Sequence, residues 1–322
     1  MADSPSDDPP PSQLPPPPVL LAGPTAVGKS AIALHLAKAL NGEIISVDSM
    51  QVYRGMDVGT AKPSPAERAA VPHHLIDVVG LEESFDASRF VAFAEAAVAE
   101  IQHRGRVPIL CGGTGLYFKA FLEGLGEAPA SNSAVRKEIE ATPVAELLRE
   151  LAARDPQAYE RIDRNNPRRV IRAVEVVRLT GKPFFSQRAA WSQSSPITHH
   201  ASRMFGLSRS PDDLRQRIDA RIDTMFALGW VAETQRLLEH GLAENRTAMQ
   251  ALGYRQILEY LRGERSLEEA VRVVKSRTRL YAKRQMTWFR GKLQLKWLHL
   301  ERDTNPETVA GALAEDLRRT TS

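Results

Sequence analysis

The segment Gly23, Pro24, Thr25, Ala26, Val27, Gly28, Lys29, Ser30 constrains this chain more than any other, because it fits GxxxxGK[ST] where that pattern has a mechanism. It follows a short apolar run, Val19 to Ala22. It opens a stretch, Lys29 to Leu40, in which Ile32, Leu36 and Leu40 recur at helical spacing. Strand, loop and helix are therefore expected in that order. Glycines let the backbone curl so that successive N–H groups face one anion. The helix N-terminus adds partial positive charge, Lys29 adds a full one, and the Ser30 hydroxyl is a ligand for Mg²⁺. Two linked phosphates are the natural guest.

The surrounding pattern extends this unit into an α/β fold. Glu43 to Val47 reads as a buried strand, Phe85 to Arg104 as a long Ala-rich amphipathic helix, and Val107 to Cys111 as another strand. Strands alternating with helices imply a mainly parallel, twisted sheet. Beyond Gly124 only helical segments are expected, over Ser133–Glu140, Val144–Arg154 and Pro167–Thr180. A Gln/Ser/Thr-rich connection over 186–202 then leads to a return strand at Met204–Leu207 and long helices from Asp212 to Ala282. The expected organisation is a P-loop α/β core over 19–124, an inserted all-helical domain over 125–200, and a mainly helical return to the core over 201–322. Residues 1–18 hold 8 of the 21 prolines and no aromatic residue, a composition for extended, solvated chain without a buried face.

Other residues fall where ligands gather in such sheets. Asp48 follows the second strand at once, in Asp48-Ser49-Met50-Gln51, and suits either Mg²⁺ support or a general base; a loop or cap role is the plainer alternative. Thr114 ends Cys111-Gly112-Gly113-Thr114, as a polar tip at a ligand or as a helix N-cap. Arg217 and Arg221 share one helical face. They either reach a phosphate or pair with Asp213, Asp219 or Asp223. Arg161–Arg172 carries five arginines and one Asp, and Arg272–Lys296 carries nine Lys/Arg and no acid, with Tyr281, Trp288 and Phe289 among them. These suit RNA phosphates and bases, or a solvated face over core aromatics. No histidine pair has a metal spacing, and His73-His74 and His199-His200 read as loop residues.

Composition removes other classes. With 43% hydrophobic and 25% charged residues the chain should fold, and one cysteine, Cys111, allows neither an internal disulfide nor a zinc cluster. No apolar run is long enough for a bilayer, and the N-terminus lacks a signal-peptide pattern, so a soluble cytoplasmic protein is expected. No heptad seam argues against a monomer.

Together these residues resemble the tRNA dimethylallyltransferase family, the isopentenyl diphosphate:tRNA transferases. The resemblance rests on GPTAVGKS at 23–30, ISVDSMQVYRGMDVGTAKP at 45–63, HHLID at 73–77 and GGTGLYFKA at 112–120. It continues with NNPRRVIRAVEV at 165–176, Arg217 and Arg221, ALGYRQI at 251–257 and AKRQMTWFR at 282–290. It covers almost everything from residue 19 to about 300. It implies a P-loop kinase-like core that takes dimethylallyl diphosphate instead of ATP, with Mg²⁺, and a helical insertion gripping the tRNA anticodon arm. The activity implied is transfer of the dimethylallyl group to N6 of the adenine 3′ to the anticodon, in tRNAs reading codons that begin with U.

Carried onto this chain, the resemblance implies Asp48, Thr114 and Arg221 in catalysis, and residues 23–30 with Arg217 on the diphosphate. It implies Asp48, Ser49, Met50, Gln51, Thr114, Arg136, Arg168, Arg169, Val170, Ile171 and Arg172 on tRNA. It adds Gln250, Ala251, Leu252, Gly253, Tyr254, Arg255, Lys283 and Arg284 to that set. The C-terminal zinc finger of eukaryotic relatives is absent, which points to a bacterial form, and the Pro-rich tail lies outside the pattern. A small-molecule kinase and a noncatalytic RNA-binding ATPase are the alternatives. Both would need ATP; the transferase would not.

Overall fold

A computed structural model describes residues 15–129, 131–187 and 203–319. In chain order the first elements are β1 (Val19–Ala22), α1 (Lys29–Leu40), β2 (Gly42–Val47), α2 (Pro65–Ala70), β3 (His73–His74), α3 (Ala87–His103), β4 (Val107–Gly112) and α4 (Gly115–Glu123). Four helices follow: α5 (Ser133–Ala141), α6 (Val144–Arg154), α7 (Pro156–Arg161) and α8 (Pro167–Thr180). The chain then forms β5 (Met204–Ser208), α9 (Pro211–Ala227), α10 (Trp230–Glu239), α11 (Tyr254–Leu261), α12 (Leu267–Lys292), β6 (Lys296–His299) and α13 (Pro306–Arg319). Two compact units result, one made of residues up to 118 together with those from 199, the other of 119–198.

The first unit is built on a six-stranded, wholly parallel sheet in the order β3-β2-β4-β1-β5-β6. β1 and β2 are buried along their whole length, which is why they read as mainly apolar runs, broken in β2 by Glu43 and Ser46, rather than as alternating ones. Ala22 on β1 and Val47 on β2 both lie opposite Gly112 on β4, so three strands end level. Gly112 allows this close register: a Cβ there would lie 2.1 Å from the Val47 carbonyl oxygen. Gly23, Asp48 and Gly113 consequently leave the sheet side by side at its carboxyl edge, where open α/β sheets bind ligands. On one face, Ile32 and Leu36 of α1 pack with Leu313 and Leu317 of α13 over β1 and β4.

Two edge strands differ from expectation. His73-His74 is not loop but β3, hydrogen-bonded beside β2, with His74 Nε2 2.6 Å from the buried Glu43 carboxylate. β6, Lys296–His299, adds a second strand to the return segment, which is expected to be mainly helical with Met204–Leu207 as its strand. Both are short and half-exposed, so neither carries the apolar run that marks an interior strand. His199, His200 and most of the 186–202 connection lie outside the described residues.

The second unit packs α5 to α8 around Ile139, Leu147, Leu151, Ala158, Val170 and Val174. Inside it sits a carboxylate, Glu175, with no exposure. Glu175 accepts hydrogen bonds from Ser131 Oγ, the Asn132 N–H (3.2 Å), Arg136 (3.1 Å) and Arg172 (2.8 Å). Burial opposes its ionisation, but the Ser131 and Arg172 hydrogen bonds and the charges of Arg136 and Arg172 outweigh that and hold its pKa below the ordinary value. Among the described residues, no helix is long and apolar enough to cross a membrane.

Candidate active site

The 23–30 loop is tied at two of its carbonyls by arginines. Arg217 Nε donates to the Ala26 carbonyl (2.9 Å), and Arg209 Nε donates to the Val27 carbonyl (2.8 Å). Ala26 has φ 63° and Gly28 φ 110°, the left-handed geometry that curls the loop. Gly28 is the N-cap of α1 and brings no capping side chain, so the first N–H groups of α1 are left for an external acceptor. Lys29 Nζ donates to the Pro24 carbonyl at 2.7 Å. Burial pushes the Lys29 pKa down to about 8, opposed by Cys111 and Asp48 and reinforced by Arg221. A cation held this way is short of negative charge.

The two arginines of α9 resolve an alternative. Each acid that could have neutralised them is engaged elsewhere: Asp213 with Arg209 (2.8 Å), Asp219 with Arg279 Nε (2.9 Å) and Asp223 with Lys275 (2.6 Å). Among the described residues neither Arg217 nor Arg221 has a carboxylate within salt-bridge distance. Burial lowers the pKa of Arg221, with Asp48 opposing and Arg217 adding to the effect. Lys29, Arg217 and Arg221 thus form a cluster of like charge around an anion-shaped loop.

At the end of β2, Asp48 Oδ1 accepts from the Met50 N–H (2.8 Å) and the Gln51 N–H (3.3 Å). Its other oxygen takes no hydrogen bond among the described residues. Thr114 directly precedes α4, yet its Oγ1 does not cap that helix; it accepts from the Ser49 N–H at 3.3 Å. The β2 and β4 ends are thereby joined, and the Thr114 hydroxyl proton remains free to donate. Gln51 turns inward, with Oε1 accepting from Ser46 Oγ (2.7 Å) and Nε2 donating to the Thr60 and Ala61 carbonyls.

The residues expected on tRNA separate by exposure. Gln250, Arg255, Lys283, Arg284, Arg168 and Arg169 are exposed; Ser49, Met50, Leu252, Ile171, Arg136 and Arg172 are half-buried. Val170 and Tyr254 are wholly buried, and Ala251 and Gly253 are buried too. The fold encloses those four. Tyr254 Oη donates to the buried Glu233 carboxylate (2.8 Å), which also accepts from the Asp57, Val58 and Gly59 N–H groups at 2.6–3.0 Å. Phe289 is core, and Trp288 packs against Gly115, where a Cβ would lie 2.2 Å from its ring.

Sequence reasoning misses three residues here. Arg209 stands in no motif, and Glu233 and Gln285 each sit at a buried helical position among apolar neighbours: Trp230 and Leu237 flank Glu233, Ala282 and Phe289 flank Gln285. A polar residue on an apolar stripe is the available signal.

A parallel α/β sheet whose first strand runs through the 23–30 loop into a helix, with a carboxylate at the neighbouring strand end, defines a P-loop-like core. A family model for IPP transferase matches residues 51–292. A tRNA dimethylallyltransferase of Trichlorobacter lovleyi is 45% identical over 87% of this chain and 92% of its own length. One of Pelotomaculum thermopropionicum is 41% identical over 92% and 95%. The solved full-length tRNA isopentenylpyrophosphate transferase of Bacillus halodurans has 40% identity and a TM-score of 0.67 over 94% of this chain and 97% of that one. A eukaryotic dimethylallyltransferase solved acting on tRNA has 29% identity and a TM-score of 0.77, over 94% and 79%. This chain belongs to the IPP transferase family, that of the tRNA dimethylallyltransferases.

Proposed function

We propose that the chain is a tRNA dimethylallyltransferase that moves the dimethylallyl group from dimethylallyl diphosphate to N6 of the adenine 3′ to the anticodon. Its tRNAs are those reading codons that begin with U, and it acts on them as a single chain in the cytoplasm. The observation that carries this reading is the pairing of Lys29, Arg217 and Arg221, none neutralised by a carboxylate, with an Asp48 oxygen left unbonded at the next strand end.

The N–H groups of the 23–30 loop other than that of Thr25, which Gln285 takes, would bind the diphosphate together with Lys29, Arg217 and Arg221 and offset the charge that grows on it as it departs. The base must leave the stacked anticodon loop before its amine can be reached. N6 then bonds to C1 of the dimethylallyl group, the C1–O bond breaks, and its electron pair leaves with diphosphate. The proton lost from N6 goes to Asp48. Thr114, tied to the Asp48 turn through Ser49, would orient the acceptor. Exposed Arg168, Arg169, Lys283 and Arg284 would meet tRNA phosphates.

Among the described residues no three His, Cys, Asp or Glu side chains gather to hold a metal. The exposed Ser30 hydroxyl and the open Asp48 oxygen are a sparse oxygen set, which fits Mg²⁺, an ion that keeps several waters and takes other ligands from phosphate. Ser30 would hold it, and it would neutralise diphosphate charge; support of the ion by Asp48 through water is the alternative to its role as base.

The test is mass spectrometry of tRNA incubated with enzyme, dimethylallyl diphosphate and Mg²⁺, without ATP. A gain of one C5H8 unit on that adenine is expected. No gain unless ATP is added, or release of inorganic phosphate from ATP instead, would replace this reading with a kinase or ATPase.

A further inference from the structure

Gln285 joins two loops that the proposed reaction must keep apart by a fixed distance. It lies on the inner face of α12 and is 7% exposed. Its Oε1 accepts from the Thr25 N–H of the anion loop at 2.9 Å, and its Nε2 donates to the Gly113 carbonyl at 2.8 Å. Thr25 belongs to the loop assigned to the diphosphate. Gly113 adjoins Thr114, whose hydroxyl meets the Asp48 turn. One amide side chain therefore spans from the donor-holding segment to the acceptor-holding one. No other residue type offers a planar acceptor and donor at that reach.

Glycine at 113 is part of the same fit. A Cβ there would lie 2.4 Å from Gln285 Nε2, while its next neighbours, the Gly23 carbonyl and Gln285 Cδ, stand at 3.5 and 3.6 Å. Gly113 has no positive φ, so alanine is free to take its backbone geometry. The only thing an added methyl displaces is the Gln285 amide.

We propose that Gln285 is a positioning residue for group transfer: it sets the separation of the anion loop from the Gly113-Thr114 segment, and so the approach of N6 to the allylic carbon. This rests on the function proposed above. A misplacement of about 1 Å between reacting groups costs on the order of 10²-fold in rate. Gln285→Ala should therefore lower single-turnover transfer by about 10-fold to 10²-fold. Affinities for inorganic pyrophosphate and for tRNA, measured separately by calorimetry, should stay within about threefold, since both ligands keep all their partners.

The decisive experiment is a double-mutant cycle on the full chain. Gly113→Ala should reduce transfer about as much as Gln285→Ala, because it ejects the amide. In the Gln285→Ala background it should change almost nothing, because the obstruction has gone. Multiplicative losses, or a loss confined to ligand affinity, or singles within twofold of the parent chain, would overturn the proposal. Gly113→Ala also keeps the test open if Gln285→Ala does not fold. Exchange of the Thr25 amide hydrogen, followed by NMR, needs no activity: it should speed up in both single variants, and an unchanged rate would sink the tie itself. A parent chain that transfers nothing counts against the proposed function, while this exchange still judges the tie.

Discussion

The anion loop and the helical unit are both rich in cations, but they use them in opposite ways. Around Gly23–Ser30, Arg217 and Arg221 sit on a helix with four aspartates, Asp212, Asp213, Asp219 and Asp223, and each of them pairs with another base: Arg215, Arg209, Arg279 and Lys275. In the helical unit the arginines are largely consumed. Arg136 bonds Glu140 and Glu175, Arg172 bonds Glu175 and the Pro129 carbonyl, and Arg178 bonds Glu138 and Glu150. Arg168 and Arg169 stay exposed, with only a 3.9 Å approach of Asp163 to Arg169. A count of arginines in a sequence therefore measures charge, not charge free to meet a ligand. What decides is whether the nearby acids are already paired.

The sharpest way to break this contrast is at the loop, where a free group should matter for chemistry and not for folding. Asp48→Asn keeps the Oδ1 acceptor for the Met50 and Gln51 N–H groups, so the turn survives while the proton acceptor is removed. Single-turnover transfer should fall by ~10²–10⁴-fold with tRNA affinity near normal. If raising Mg²⁺ restores the rate, Asp48 supports the metal instead; full activity would remove it from the site.

Lys29→Ala comes next, with a loss of about 10²–10³-fold in transfer as charge opposite the diphosphate disappears. The same lysine gives a pH signature. Its pKa in the free protein is lowered to about 8, and an anion binds its protonated form, so pyrophosphate affinity contributed by Lys29 is present below that pH and lost as pH rises through it. Calorimetry from about pH 7 to about pH 9 should show this decline in the parent chain. In Lys29→Ala it should vanish, and an identical slope in both would take Lys29 out of the cradle.

How much of this can be read from sequence follows from the same physics. β1, β2 and β4 are legible because strands buried on both faces are rich in apolar residues, Glu43 and Ser46 of β2 being the polar interruptions, and the glycines that follow β1 and end β4 mark the carboxyl edge. β3 and β6 are not, since a two- or four-residue edge strand has no periodicity to detect. Asp48, Thr114 and the α9 arginines stand out by position, but the partners of Thr114 and of the acids beside Arg217 and Arg221 are residues far apart in the chain, which no local pattern reveals. Thr114 spans 65 positions to reach Ser49, and Gln285 spans 260 to reach Thr25. The arginine-rich window that ends at Arg172 stops three residues short of Glu175, the carboxylate that claims it.

The helical unit then yields the reverse expectation, stability lost without chemistry. Arg172→Ala leaves Glu175 buried with one fewer partner. Removing one member of a buried pair costs ~3–5 kcal/mol, and the remaining Arg136 bond should hold the loss to about 1–3 kcal/mol. The sign with pH follows from Glu175's lowered pKa: its contribution is present above the ordinary carboxylate value and fades as pH falls through the lower, folded value. Thermal melts should show the parent chain losing its advantage over Arg172→Ala on acidification. A constant difference across that range would mean that Glu175 is not the cause.

The smallest effect completes the contrast, because Arg168 and Arg169 are the arginines of this helix that the fold leaves exposed. Changing both to Glu should alter stability by no more than about 0.5 kcal/mol, as for exposed sites generally. If they meet tRNA phosphates, each phosphate no longer neutralised lowers the slope of log affinity against log salt by about 0.7–0.9. The double variant should then bind tRNA more weakly at low salt, with a slope shallower by between one and two, about, and converge on the parent chain at high salt. Pyrophosphate binding should be untouched. An unchanged slope would return Arg168 and Arg169 to the solvated face of α8, and this helix would then offer RNA no free arginine.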